Sequence, residues 1–158
     1  MRLSRPLLLT AAAVAALFLF AAPAWAAAAN FASATGSVNS AGALVVAFDE
    51  RGLGNGDIDY MLQANAQAVY ACINGGGNRP ASKETVNSEV STGGSFASKN
   101  GRVVASVSAG PPPAGAFNCP SGQRLVLISV SYTDILLNDT TNGASAFPPP
   151  VSRTLITP

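Results

Sequence analysis

The stretch DIDYMLQANAQAVYAC, Asp57 to Cys72, decides the fold. Ile58, Tyr60, Leu62, Ala64, Ala66, Ala68, Tyr70 and Cys72 fall on one parity, and Asp57, Asp59, Met61, Gln63, Asn65 and Gln67 on the other. A period of two held over this length belongs to an extended chain with one buried and one wet face. A helix would spread the same apolar residues around its circumference. The run predicts one long strand, bent where the alanines allow, or two consecutive strands, with Cys72 facing inward at the end.

Downstream, Lys99-Asn100-Gly101-Arg102 carries the Asn-Gly pair that suits the two positive-φ positions of a type I′ hairpin turn. A turn centred there sets Phe96 opposite Ala105 and Ser98 opposite Val103. Leu44 to Asp49 reads as a short strand. Gln123 to Leu137 reads as a long one, with Val126, Ile128, Val130 and Tyr132 on a single parity. Asn142-Gly143 reverses the chain toward a last strand near Val151 to Ile156. Pro148 to Pro150 lack ladder donors and belong at a sheet edge or outside it. Pro111 to Pro113 mark a connecting loop. Seven to nine strands and no amphipathic helix predict an all-β chain, an antiparallel β-sandwich of immunoglobulin-like outline with one disulfide. The lack of a core tryptophan and Phe117 where a tyrosine corner needs Tyr weigh against an antibody-type domain.

The N-terminus carries an export signal. Arg2 and Arg5 precede an apolar run from Leu7 to Ala22, and Ala24-Trp25-Ala26 is a small-x-small cleavage site. Pro23 and that site stand where a membrane anchor would continue, so a signal peptide over residues 1–26 and a single secreted domain over 27–158 are expected, with no membrane span after cleavage. Without Arg2 and Arg5 the nine Lys and Arg fall to seven, against eight Asp and Glu. Nucleic acid and anionic membrane are poor partners for a chain so sparsely and evenly charged. An oxidising compartment makes a Cys72–Cys119 disulfide the expected fate of the two cysteines, and because both sit at strand ends or loops the bridge is expected to clamp an edge of the sandwich. Two thiolates without histidine would leave a zinc shell half empty.

The segment Asn74-Gly75-Gly76-Gly77-Asn78-Arg79 raises the question of a phosphate loop. Such a loop needs Gly-Lys-Ser/Thr and a following helix, and neither follows here. The glycines instead suit a turn leaving a strand, and the six residues form at most a weak binding candidate. Without histidine no Ser-His-Asp set can be assembled. Ser82-Lys83 and Ser98-Lys99 are adjacent pairs whose side chains point to opposite faces of an extended chain. Asp49, Glu50, Asp57 and Asp59 could in principle supply a glycosidase pair, but Asp57 and Asp59 lie on the wet face and no tryptophan remains as a sugar platform. Asn55, Asp57 and Asp59 are a weak calcium candidate, since Tyr60 and Ala66 occupy the positions where an EF-hand requires Gly and Glu. Asn138-Asp139-Thr140 is a glycosylation sequon near an expected hairpin tip.

Tyr70-Ala71-Cys72, Asn74-Gly75-Gly76-Gly77-Asn78-x-Pro80, Lys83, Asn100-Gly101, Cys119-Pro120-x-Gly122-Gln123 and Val130-x-Tyr132 together resemble an uncharacterised family of small secreted bacterial and fungal proteins, over most of Leu44 to Asn142. The resemblance implies export, the disulfide and one β domain. It implies no catalytic residue and no cofactor. The expectation is a non-catalytic extracellular binding or structural protein that contacts an extracellular ligand or cell-surface component. The alternative is a secreted hydrolase or enzyme inhibitor acting through an unrecognised loop, with Cys72 to Lys83 the first candidate.

Overall fold

The computed structural model describes residues 28–76 and 82–156. The expected signal peptide, and Gly77, Asn78 and Arg79 of the glycine loop, lie outside the described residues. Eight strands follow one another among the described residues: β1 (Asn30–Val38), β2 (Leu44–Arg51), β3 (Gly56–Asn74), β4 (Lys83–Ser98), β5 (Arg102–Ala109), β6 (Gln123–Asp139), β7 (Ser145–Ala146) and β8 (Val151–Thr154). They form a three-stranded sheet in the order β1-β2-β5 and a five-stranded sheet in the order β4-β3-β6-β7, in which β8 also pairs with β6. Every pairing is antiparallel. Neither sheet closes into a barrel.

The diagnostic alternation is one unbroken strand of 19 residues. Its even-numbered side, Ile58 to Ala68, is buried against Leu44, Val46 and Phe48 of β2 and Val103 and Val107 of β5, so one apolar cluster draws on both sheets. Small residues on β3 leave room for large ones on its neighbour: Ala66 lies opposite the fully buried Tyr132. Phe48 and Tyr60 meet across the sheets with ring centroids 4.6 Å apart, and Phe31 and Phe96 pack edgewise around Phe48. Each fully buried large apolar side chain contributes about 1.5–3 kcal/mol.

Three expectations need correction. Strand β6 does not keep one parity. Its partners on β3 skip at Gln63/Asn65 and again at Val69/Tyr70, so β6 carries extra residues at Asp134–Ile135 and at Ile128. Each extra residue flips the alternation. Val130 and Tyr132 therefore face the main core, whereas Val126 and Ile128 join Ala71 and Ile73 in a second cluster, with Ile156 packed on it. Asp134, with φ 50°, takes the left-handed backbone that one of these bulges requires.

The second correction concerns the Asn100-Gly101 hairpin. Both residues have positive φ, and Lys99 and Arg102 exchange backbone hydrogen bonds of 2.9 and 3.1 Å, as the turn demands. Beyond that bridge the arms separate. Ser98 pairs with Gly56 on β3, and Val103 pairs with Glu50 on β2, so Phe96 and Ala105 are not ladder partners. The continuous ladders offered by β3 and β2 outbid the local hairpin, and the turn becomes a passage from one sheet to the other.

The third concerns the disulfide. Cys72 and Cys119 are bonded, with Cα atoms 5.5 Å apart. Because β3 is an interior strand, the bridge ties its end to the β5–β6 connection and does not clamp a sheet edge. Closing a loop with a sequence separation of 47 is worth about 4 kcal/mol by chain entropy. The prolines behave as expected, with both triplets outside the strands. Tyr70 Oη donates a 2.7 Å bond to the Pro112 carbonyl, anchoring that loop. The last strand is shorter than expected, Val151–Thr154, and the two-residue β7 precedes it.

Candidate functional site

The acids of the sequence are sorted by strand parity into three environments. Asp57 and Asp59 are exposed on the outer side of β3, and Asn55 is exposed just before it. The backbone of Asp59 is bound to the β6–β7 turn, its N–H donating to Thr141 Oγ1 at 2.9 Å and its carbonyl accepting from Thr140 N at 2.8 Å. Among the described residues no three Asp, Glu, Cys or His side chains converge as a metal site would need.

Asp49, on the outer side of β2, is held by two arginines. Arg102 meets it bidentately, Nε to Oδ1 at 2.7 Å and Nη2 to Oδ2 at 2.8 Å, and Arg51 Nη2 adds a 3.0 Å contact. Those bonds, that from Arg102 first, hold the Asp49 carboxyl well below the usual carboxylate range.

Glu50, grouped by the sequence with Asp49, Asp57 and Asp59 as a candidate acid, is separated from them by the structure. It follows Leu44, Val46 and Phe48 on the inward parity of β2 and is completely buried. Opposite it stand Tyr60 and Asp139, which are Cα partners across β3 and β6. Asp139 is also completely buried, and it caps the β6–β7 turn. Its Oδ1 accepts from Thr141 N at 2.8 Å and Asn142 N at 2.9 Å, and its Oδ2 accepts from Asn142 Nδ2 at 2.7 Å. By contrast, neither Glu50 oxygen nor Tyr60 Oη makes a hydrogen bond of good geometry. Burial pushes Glu50 up to about 7, with Asp139 adding to the rise and the Tyr60 hydroxyl opposing it. Burial first, and Glu50 second, raise Tyr60 far above its ordinary value. Glu50, Tyr60 and Asp139 are therefore closed to a substrate.

A shallow groove of about 410 Å3 crosses the outer face of the five-stranded sheet, lined by Asn65, Gln67, Asn87, Glu89, Ser131 and Thr133. Its side chains are set in rows by strand register, with Gln67 between Asn87 and Ser131, and Asn65 between Glu89 and Thr133. They also hold one another: Gln67 Nε2 donates to Asn87 Oδ1 at 3.0 Å, and Asn65 Nδ2 to Asp134 Oδ2 at 2.9 Å. An amide fixed by one bond keeps further donors and acceptors for a ligand. The odd parity of Asn65 and Gln67 marked this face as wet in the sequence. That β4 and β6 would extend it needed the register.

Of the glycine segment, Asn74, Gly75 and Gly76 are exposed where β3 ends. Ser82 and Lys83 are exposed at the start of β4, and Lys99 is exposed at the turn. The sequon asparagine, Asn138, lies one residue from the end of β6, beside the β6–β7 turn, and its Oδ1 accepts from Ser145 Oγ at 3.0 Å. Among the described residues no helix is long and apolar enough to cross a membrane. Compared with known proteins, the chain matches no family model and no curated protein, so no residue role is carried over from a relative.

Proposed function

We propose that the protein is a non-catalytic, secreted β-sandwich of immunoglobulin-like outline that serves as a binding or structural component outside the cytoplasm. The shared apolar cluster supports reading the two sheets as sandwich layers. Strand order 1-2-5 facing 4-3-6-7, with crossings after β2, β4 and β5, supports the immunoglobulin-like outline. The Cys72–Cys119 bond and the N-terminal pattern support export.

One observation carries the functional reading. Glu50 and Asp139 are sealed inside, Asp49 is locked in ion pairs and Asp57 and Asp59 are spread on an open face, whereas the groove on the five-stranded sheet is built mainly of amides and hydroxyls, with Glu89 as the one carboxylate among its lining residues and Gln67 held by Asn87. Such a surface is fit to contact a ligand and ill suited to moving protons.

The test is retention of partners from culture medium and cell envelope on the immobilised protein, compared with Gln67→Ala/Asn87→Ala. The reading expects a retained component whose capture falls at least tenfold in the variant with the melting temperature unchanged. Turnover of glycans, peptides or esters by the purified protein, lost on replacing Asp57, would refute it in favour of a hydrolase. Inhibition of a hydrolase, lost on replacing residues 74–76, would favour an inhibitor.

A further inference from the structure

We propose that Glu50 and Asp139 form a pH-sensitive clasp: a proton held on Glu50, facing Asp139, closes this end of the molecule, and its loss in a neutral or alkaline medium loosens β2 from the β6–β7 turn. The placement is unusual for acids. Both are completely buried, they come from different sheets, and among the described residues no cation is placed against them.

The neighbouring elements bear this out one by one. On β1 the residue beside Glu50 is Phe31, and β1 has no charged side chain. On β5 the neighbour is Val103; the adjacent Arg102 points to the outer side and is bound to Asp49, as is Arg51. From β3 only Tyr60 faces Glu50, since Asp57 and Asp59 are on the other parity. From β6 only Asp139 faces it, and β7 carries no charge. Lys99, beyond β4, is exposed at its turn.

Two adjacent buried carboxylates without a cation cannot both stay ionised at low cost, so the pair retains a proton. The hydrogen bonds decide which residue holds it. Asp139 has three donors aimed at its oxygens and suits the anion, whereas Glu50 makes no bond of good geometry and suits the acid. A protonated Glu50 can donate to Asp139 and accept from Tyr60. Deprotonation leaves Glu50 with the Tyr60 hydroxyl as the one donor that faces it, beside a second negative charge. Glu50 stands one residue from the end of β2 and can reach water by freeing that end, which would uncover Phe31, Phe48 and Tyr60.

Native-state hydrogen exchange tests this on the intact protein. The amides of Asp139 and Gly143, which bond to Ala144 and Asp139 carbonyls, report the clasp; Leu155, bonded to Ile128, reports the opposite region. After correction for intrinsic exchange, the opening equilibrium at the clasp is expected to rise by up to about a hundredfold from pH 5 to pH 8, with Leu155 changing less. In Glu50→Gln the rise is expected to shrink below threefold. A flat wild-type profile, or an undiminished rise in Glu50→Gln, would overturn the proposal. Should the variant fail to fold, a carboxyl-carbon titration of the wild type decides: Glu50 titrating near neutrality supports the clasp, and Glu50 titrating near the ordinary glutamate value overturns it.

Discussion

Tyr132 is one of the residues at which a side chain ties the two halves of the fold together, as Arg153 of β8 does through the Val38 carbonyl of β1. From β6 the Tyr132 hydroxyl donates a buried 2.7 Å hydrogen bond to the Gly42 carbonyl in the β1–β2 turn, and burial pushes the phenol up to about 12. That turn is otherwise held by Asn39, whose Oδ1 accepts from Ala41 and Ala43. Tyr132→Phe keeps the ring and strands the carbonyl, so chemical denaturation should show a loss of about 1–2 kcal/mol. Glu50 was legible at this scale in part. Extending the Leu44, Val46, Phe48 parity by one step turns it inward, but ending the strand at Asp49 hid this. Asp139 was not legible, because its inward position depends on the bulge at Asp134–Ile135, which leaves no mark in composition.

Elements show where local rules hold and where they yield. The Asn100-Gly101 turn was readable because positive φ is a requirement of the chain itself. Where its arms went was not, because that depends on which distant strand offers the longer ladder. Gly101 is doubly constrained: its φ is 72°, and an added Cβ would lie 3.1 Å from the Leu53 carbonyl oxygen. Gly101→Ala should therefore cost about 1–3 kcal/mol, measured by denaturant midpoint, and Asn100→Gly far less. Strand β3 was legible throughout, since none of its own residues is extra and its parity never breaks. Strand β6 was legible as a strand but not by face. The groove candidate inherits that limit, because the rows of Asn65 and Gln67 could be read and their neighbours could not.

For the whole molecule, the two kinds of acid set opposite pH limits. Between pH 4.5 and about 7 the native state keeps a proton on Glu50 that the unfolded chain has released, so stability falls as pH rises through this window. The full effect is on the order of 3 kcal/mol. Asp49 works the other way: its arginine bonds stabilise the fold above the ordinary value of 3.8 and are lost as pH falls below it. Denaturant unfolding across pH should thus show a maximum at about pH 4 to 5, and Glu50→Gln should remove the decline on its neutral side. Replacing both cysteines by serine should lower stability by about 2–4 kcal/mol at every pH. The all-β class and the disulfide were legible from alternation and cysteine number; the division of strands between sheets was not, since it is decided by pairings distant in sequence.

The central claim is that both sheets close on one core. Native-state hydrogen exchange at pH 5 tests it most directly, through the most protected amides of β2 in one sheet and of β3 and β6 in the other. A shared core predicts that all three open with the same free energy and respond to denaturant together. If β2 exchanges through a separate opening, orders of magnitude more readily than β3 and β6 and insensitive to Leu62→Ala, the two sheets do not share a core and the account fails.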